Sequence, residues 1–518
     1  MDRKWWTLVA VSVGTFMLLL DITIVNVALP KIQTGLHSSF VDLQWVVDAY
    51  ALTLAALLLT SGSLADLLGR RRIFSVGLVL FSAASLLSGL AQSPLMLNLS
   101  RGLQGVGGAM MFATSLALLG NAYRGRERGT AFGVWGAVTG LAVSVGPVIG
   151  GALTDALSWR WIFLVNVPIG AVALALTLTK VDESRDPQGA RLDIPGFVTF
   201  TGALGALVLG LIESSQKGWG STYVETCLIA SAVLIVAFVI VERLQRAPMF
   251  DLSLFRRPAF DGASLVAFSL SASIFAMFLY LTLYLQDLLG LSPLGAGVRL
   301  ITLSALILVT SAIAGRLTTV VPVRLLMGAG LALVAVSLFL MRGLTASSQW
   351  THLLPGFIVG GIGIGLINPP LASTAIAVVP PRQAGMGSGI NSTFRQVGIA
   401  TGIAALGSIF SSEIRSHVVS GLRAVHQGGA QAISAAIANG QIKQAIVHVP
   451  ARARATVGEI VRTSFVAGLN EIFLVAAIVA LAGAAGALIL IRSRDFVAQT
   501  DAKPDLSAAP ETAAAAGS

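Results

Sequence analysis

Four ionisable residues, Asp21, Asp48, Arg101 and Arg395, interrupt stretches that are otherwise apolar. A charge at the centre of a bilayer costs roughly 2.5–3.5 kcal/mol on insertion scales, so each must be paired or put to use. Asp21 lies nine residues before Pro30 in LLLDITIVNVALP, and Arg101 lies well inside the apolar run that begins near Leu95. At about 1.5 Å per residue these positions are roughly 13 and 10 Å below the same face, because the two spans run in opposite directions. The depths agree, so carboxylate and guanidinium can meet if the spans are neighbours. Burial disfavours the charged carboxylate and the guanidinium favours it, so a small movement of Arg101 would load or release a proton. The alternative is a static ion pair that locks two helices together. Asp48, nearer the end of its span, reads as a capping or interfacial residue or as part of a functional site. Arg395, roughly 10–13 Å from the inner face, can snorkel, bind a carbonyl or meet an anionic group.

Other chemistry has little to work with. There is no G-x-x-x-x-G-K-[ST] loop and no H-E-x-x-H, and the five histidines do not cluster within the apolar runs. Cys227 is the single cysteine and lies in an apolar run, which excludes an intramolecular disulfide. The expectation is a chain that is not an enzyme, with no metal site, no cofactor and no ATP hydrolysis.

The elements that must position these charges follow from composition. The 518 residues are 55% hydrophobic and only 11% charged, with a mean hydropathy of +0.83. Soluble domains carry about a quarter charged residues. A spanning helix needs about 20 apolar residues, and runs of that kind occupy 7–29, 43–64, 73–92, 95–119, 130–153, 162–179, 196–212, 226–241, 262–285, 296–315, 325–341, 353–378, 388–411 and 472–491. The first reads as an uncleaved span, since it is too long for a signal-peptide core. In lipid only helices or closed barrels satisfy their backbone groups, and these runs are too long for barrel strands. The fold class is therefore an all-α polytopic membrane protein.

Basic residues set the orientation. With the N-terminus in the cytoplasm, the termini and even-numbered loops hold 21 Lys and Arg, against five in the short odd-numbered loops. Both termini are then cytoplasmic, and the net charge of +10 reflects topology, not nucleic-acid binding. The long segment 412–471 reads as an outer loop forming short amphipathic helices, and 492–518 as a disordered cytoplasmic tail.

Two motifs stand at helix ends and seams. In GSLADLLGRRR, Gly62 permits close approach, Asp66 sits at a helix end, and Arg70, Arg71 and Arg72 follow the turn glycine Gly69. Such a cluster can latch two helix bundles in one conformation and release them in another, or serve as a plain positive anchor. SVGPVIGG places Gly146, Pro147, Gly150 and Gly151 inside span 5, where proline kinks and small residues allow tight packing. An offset of 253 brings Gly62 onto Gly315, Arg71 onto Arg324 and Gly77 onto Gly330, which suggests two parallel halves with spans 7 and 8 inserted between them.

These stretches resemble the major facilitator superfamily, specifically its fourteen-helix drug:proton antiporter branch. LDITIVNVALP resembles the first-helix motif with its acidic position at Asp21, and WVVDAYAL a second-helix segment with Asp48. GSLADLLGRRR resembles the loop 2–3 motif with Leu67 in place of a basic residue. RGLQGVGGAM resembles the fourth-helix motif with Arg101, and SVGPVIGG the antiporter motif of the fifth. WRWIFLVNVPIG and YLTLYLQDLLGLSPLGAG resemble segments of the fourteen-helix branch. The second copy of the loop motif has Thr319 at its acidic position, so only the first half carries the full latch.

The resemblance implies the major facilitator fold. A six-helix bundle spans 1–180, a linker with two inserted helices 181–258, and a second six-helix bundle 259–491. It also implies a proton-driven antiporter in the cell membrane that exports hydrophobic or amphipathic compounds, with proton coupling at Asp21 and Arg101. Asn26, Asp48, Phe275, Tyr280, Tyr284, Asn368 and Arg395 are candidates for the substrate cavity. Its partners would be a small-molecule substrate, protons and the bilayer, for a monomer whose path an envelope accessory protein could extend. Dedicated export of a lipid, fatty acid or siderophore is the rival within transport, and a non-transporting membrane sensor or scaffold the rival outside it.

Overall fold

The structure is a computed structural model that describes residues 2–492, apart from 124, 186–192, 246–247, 249, 319, 380–383 and 425–453. Thr319, the centre of the 412–471 segment and nearly all of the tail thus lie outside the described residues. The long helices are α1 (Arg3–Leu36), α2 (Phe40–Leu68), α3 (Arg70–Gly89), α4 (Pro94–Ala122), α5 (Gly125–Ala156), α6 (Trp161–Lys180) and α7 (Ile194–Lys217). They continue as α8 (Thr222–Leu244), α9 (Pro258–Leu288), α10 (Pro293–Leu317), α11 (Val323–Met341), α12 (Leu354–Ala377), α13 (Ala384–Ala424) and α14 (Arg454–Leu490). Thirteen are apolar enough to cross a membrane; the fourteenth, α5, does so as two parts bent by 42°.

Local sequence explains many of the starts. Ser39, Ser93, Asp193, Ser221 and Ser292 each accept a hydrogen bond from the amide three residues on, and Ser39 forms a full capping box with Asp42. Gly69 separates α2 from α3 at φ +115°, a conformation open to glycine, and a Cβ there would meet the Glu183 carboxylate at 2.7 Å.

In the first half, α1 packs on α5 and α6, α3 on α4 and α6, and α2 on α4. The second half repeats this plan: α9 packs on α13 and α14, α11 on α12 and α14, and α10 on α12. The halves meet along α5/α10, α2/α13 and α1/α9. The inserted α7 lies against α13 and α2 at that seam, and α8 packs on α7. Without a hydrophobic drive between helices in lipid, close approach relies on small residues. A Cβ at Gly77 would lie 2.9 Å from the Gly107 carbonyl oxygen, and one at Gly330 2.8 Å from that of Gly363.

Three features differ from the sequence reading. α1 runs through Pro30 to Leu36, so Asp21 lies near its middle. α9 contains π turns at Ser271–Phe275 and Tyr284–Leu288. The segment 412–471 is not a loop of short surface helices where it is described. Its two ends prolong α13 to 41 residues and α14 to 37. At about 1.5 Å per residue these reach roughly 60 and 55 Å, about twice a hydrocarbon core. Ile414, Val418 and Leu422 of α13 and Val457, Val461 and Phe465 of α14 are buried, so the apolar spacing that suggested separate amphipathic helices serves a two-helix stalk.

Cross-half contacts close the face opposite the chain ends. Gln286 donates to the Val27 carbonyl at 2.6 Å and Gln44 to that of Ile403 at 3.1 Å. A Cβ at Gly297 would fall 2.2 Å from the Pro147 carbonyl oxygen, and one at Gly151 2.6 Å from that of Pro293. Toward the other face Gly62, Gly136 and Gly315 have open space at the same position. Gly297→Val should therefore destabilise this closed seam by about 1–3 kcal/mol. Spin labels at the adjoining ends of α5 and α10 should report longer distances, whereas an unchanged distribution would show that the seam does not depend on this approach.

Candidate functional site

The carboxylate of Asp21 is fully buried and held by three donors. Arg101 Nη1 reaches Oδ2 at 2.5 Å, while Gln104 Nε2 and Asn166 Nδ2 reach Oδ1 at 2.8 and 3.0 Å. All three contacts donate to the carboxyl oxygens of Asp21. Arg101 is held in turn: Nε donates to the Val46 carbonyl at 2.9 Å and Nη1 to Gln104 Oε1 at 2.7 Å. Its guanidinium lies 4.4 Å from the Tyr50 ring centre and 5.7 Å from that of Phe163. Ser85 accepts from Gln104 and Asn166 and donates to the Phe163 carbonyl at 2.8 Å.

Helix geometry explains the convergence. Arg101 and Gln104 are three apart and share a face of α4. Asn166 stands where α6 resumes after the short turn Trp161–Leu164. Side chains of α1, α3, α4 and α6 and a carbonyl of α2 thus complete one network inside the first half. Gln104, Asn166 and Ser85 were missed by sequence reasoning. The available signal was their polarity: Gln104 lies inside RGLQG and Asn166 inside WRWIFLVNVPIG.

The next turn of α1 faces the seam. Thr23 and Asn26 line a small void of about 40 Å³ together with Phe275, Phe278, Ser304 and Ile399. This void is too small for a drug-sized molecule, so in this conformation the seam is closed around it. Arg395 stands one helical turn from Ile399, with its guanidinium 5.9 Å from the Phe275 ring centre. The other cavity candidates are placed differently. Tyr280 and Tyr284 are buried, donating to the carbonyls of Ile403 at 2.7 Å and Ser348 at 3.1 Å. Asn368 does not line the void either. Asp48 is fully buried, and neither of its carboxyl oxygens has a hydrogen-bond partner among the described residues.

The loop cluster forms a second, separate group. Asp66 pairs with Arg70 at 2.8 Å, and Arg70 N donates to the Ser184 carbonyl. Arg71 donates through its amide to Glu183 at 3.0 Å and through Nη1 to the Val181 carbonyl at 3.2 Å. These partners all belong to the first half or the segment just after it. The SVGPVIGG residues split between two neighbours: Gly146 and Gly150 abut Thr23 and Ile24 of α1, while Pro147 and Gly151 abut α10.

Removing one member of a buried ion pair strands the other, at a cost of about 3–5 kcal/mol. Arg101→Ala should lower stability on that scale in thermal unfolding of the solubilised protein, and adding Asp21→Asn should recover much of the loss. Arg101→Lys should restore little, because one ammonium cannot serve Asp21, Gln104 and the Val46 carbonyl in the same geometry. Full rescue by Lys would reduce Arg101 to a point charge.

Residues 11–403 match the model of the Major Facilitator Superfamily. The chain is 36% identical over 409 residues to the multidrug resistance protein Stp of Mycobacterium tuberculosis, covering 78% of this chain and 76% of that protein. It is 39% identical to a puromycin resistance protein of Streptomyces alboniger, covering 79% and 82%. With a tetracenomycin C resistance and export protein of Streptomyces glaucescens the identity is 32%, covering 94% and 91%. Among solved structures, a bacterial homologue of the human lysosomal transporter Spinster, inward-facing and occupied, superposes with a TM-score of 0.62 at 18% identity, covering 95% and 98%. A helical chain of two repeated bundles, with this family match and these relatives, is a multi-pass membrane transporter, and it belongs to the Major Facilitator Superfamily.

Proposed function

We propose that the protein is a proton-coupled exporter of hydrophobic or amphipathic small molecules, antibiotics among them. It would sit in the cell membrane with both termini in the cytoplasm and work by alternating access. The observation that carries the coupling is the buried Asp21–Arg101–Gln104–Asn166 network, one turn of α1 away from the seam between the halves. The names of the relatives support the substrate class, and the excess of Lys and Arg in loops on the side of the chain ends supports the orientation.

The mechanism follows from the network. In the present conformation, closed on the outer face, Asp21 is fully paired. Protonation from outside would weaken its bond to Arg101 and loosen α1 from α4. Because Ile22, Thr23 and Asn26 of the same helix border the seam, that movement reshapes the substrate void. Release of the proton inside restores the ion pair. The Asp66–Arg70–Arg71 group would act as the cytoplasmic latch: among the described residues its partners here lie in the first half and the segment just after it.

In proteoliposomes with an imposed pH gradient, a chemically diverse panel including ethidium, puromycin and tetracenomycin C should reveal substrate-dependent proton flux. Asp21→Asn keeps the shape and removes the titratable group. It should abolish gradient-driven export while leaving substrate binding measurable, and normal driven export by this variant would refute the coupling role. Asp66→Asn should slow turnover and shift the inward/outward balance without changing which compounds bind. A changed substrate profile at normal rates would show that this loop is no latch.

A further inference from the structure

Arg395 lies on α13 one turn before Ile399, which lines the void at the seam. Because α13 runs away from the face of the chain ends, Arg395 stands between that void and the side where Gly62, Gly136 and Gly315 have open space. The residue is partly exposed. Its guanidinium is 5.9 Å from the ring centre of Phe275, another residue of the void lining. Among the described residues it forms no ion pair and no hydrogen bond. Other arginines inside the spans are occupied: Arg101 by Asp21, Gln104 and the Val46 carbonyl, and Arg299 by the Gly295 carbonyl.

The acids on the surrounding helices do not neutralise this cation. On α2, Gln44 meets the Ile403 carbonyl, and Thr393 of α13 meets the Ala55 carbonyl at 3.5 Å. That antiparallel register places Asp48 more than one turn nearer the outer face than Arg395. Asp66, at the other end of α2, pairs with Arg70, and Glu213 of α7 pairs with Lys217. Asp261 and Asp287 of α9 lie fourteen and twelve residues from Phe275, roughly 21 and 18 Å along the helix. On α14, Gly468 abuts Phe410, which puts Glu471 about three turns nearer the outer face than Arg395. Asp21 of α1 belongs to the Arg101 network, and α10 and α12 contain no acid.

A cation inside a membrane span is costly, and one without a counter-charge in an apolar seam is offset by an incoming anion. Ligand sites are mostly apolar, with a few polar groups that fix orientation. Here Phe275, Phe278, Ile307 and Ile399 supply the apolar part. The guanidinium is a planar fork whose donors match a carboxylate or another oxyanion in pairs. We infer that Arg395 selects amphiphiles carrying one acidic group, the oxyanion docking on the guanidinium and the apolar body lying among those four side chains. The inference rests on the export reading and names its substrate class. An outgoing acid that arrives from the side of the chain ends meets Arg395 before the void, so its charge is held first and its body then parts the halves.

Three fluorescent probes of one shape test this: 9-anthracenecarboxylate, 9-anthracenemethanol and 9-(aminomethyl)anthracene, which are anionic, neutral and cationic at neutral pH. Their binding to the full chain is measured in a neutral detergent with no gradient. The wild type should bind the carboxylate about tenfold more tightly than the alcohol, as expected of hydrogen bonds to a charged group. Arg395→Gln should bring the carboxylate down to the level of the alcohol and leave the alcohol unchanged. Arg395→Lys should keep part of the preference, because a point charge lacks the fork, and Arg395→Glu should turn it toward the amine. A wild type with no preference for the carboxylate, or a preference that survives Arg395→Gln, would overturn the inference. Loss of the alcohol as well in Arg395→Gln would overturn it too, by making Arg395 a support of the fold. Since no gradient is used, this preference can fail while proton-driven export of neutral compounds stands, and it can hold in a chain whose export proves not to be proton-driven.

Discussion

The rest of the structure depends on how one carboxyl group is held away from water. Asp21 has no exposed surface, and a guanidinium and two amides aim at it. Those donors come from α4 and α6, and Ser85 of α3 and the Val46 carbonyl of α2 hold them in place. Five helices of the first half are therefore bound to a single charge. Such a network favours movement of the half as a body, with changes at Asp21 felt at the seam through α1.

The second half follows the same packing plan without, among the described residues, a buried ion pair of this kind. At the offset of 253, Asp21 falls on Ile274, which lies in the π turn Ser271–Phe275 of α9. There α9 meets glycines of α13: a Cβ at Gly398 would lie 2.6 Å from the Phe268 carbonyl oxygen, and one at Gly402 2.7 Å from that of Ala272. The repeat thus keeps the helix contacts while exchanging an ionic lock for close backbone packing and a local irregularity, a form often found where a helix must yield. One half is held by the buried ion pair, and the other by close backbone approach.

Between the halves the contacts are of a third kind. Glycines and carbonyls on α5 and α10, together with Gln286 reaching Val27 and Gln44 reaching Ile403, seal one face through backbone approach and single hydrogen bonds. Few bonds and small side chains make a seam that closes tightly yet opens without stripping a large apolar surface. That division, firm contacts within each half and sparse ones between them, is what alternating access demands.

Much of this was readable from the chain. Spans, the two-half plan and the basic loops follow from hydropathy and charge, because lipid leaves a long apolar run little choice but helix. Asp21 and Arg101 drew attention because a charge in such a run is expensive, and their depths already matched. The partners that complete the site were not readable in the same way: Gln104 and Asn166 are ordinary polar residues until α3, α4 and α6 bring them to one point. The same limit applies to the stalk, where apolar spacing in 412–424 and 454–471 showed amphipathic helices but not that they bury each other as extensions of α13 and α14. It applies most to Asp48. Hydropathy marks it as a buried acid, whereas its lack of a donor among the described residues is a property of where α2, α9 and α13 place their side chains. Periodicity and cost are local, so one dimension carries them; which donor meets which acceptor depends on long-range contact, and only the folded chain decides it.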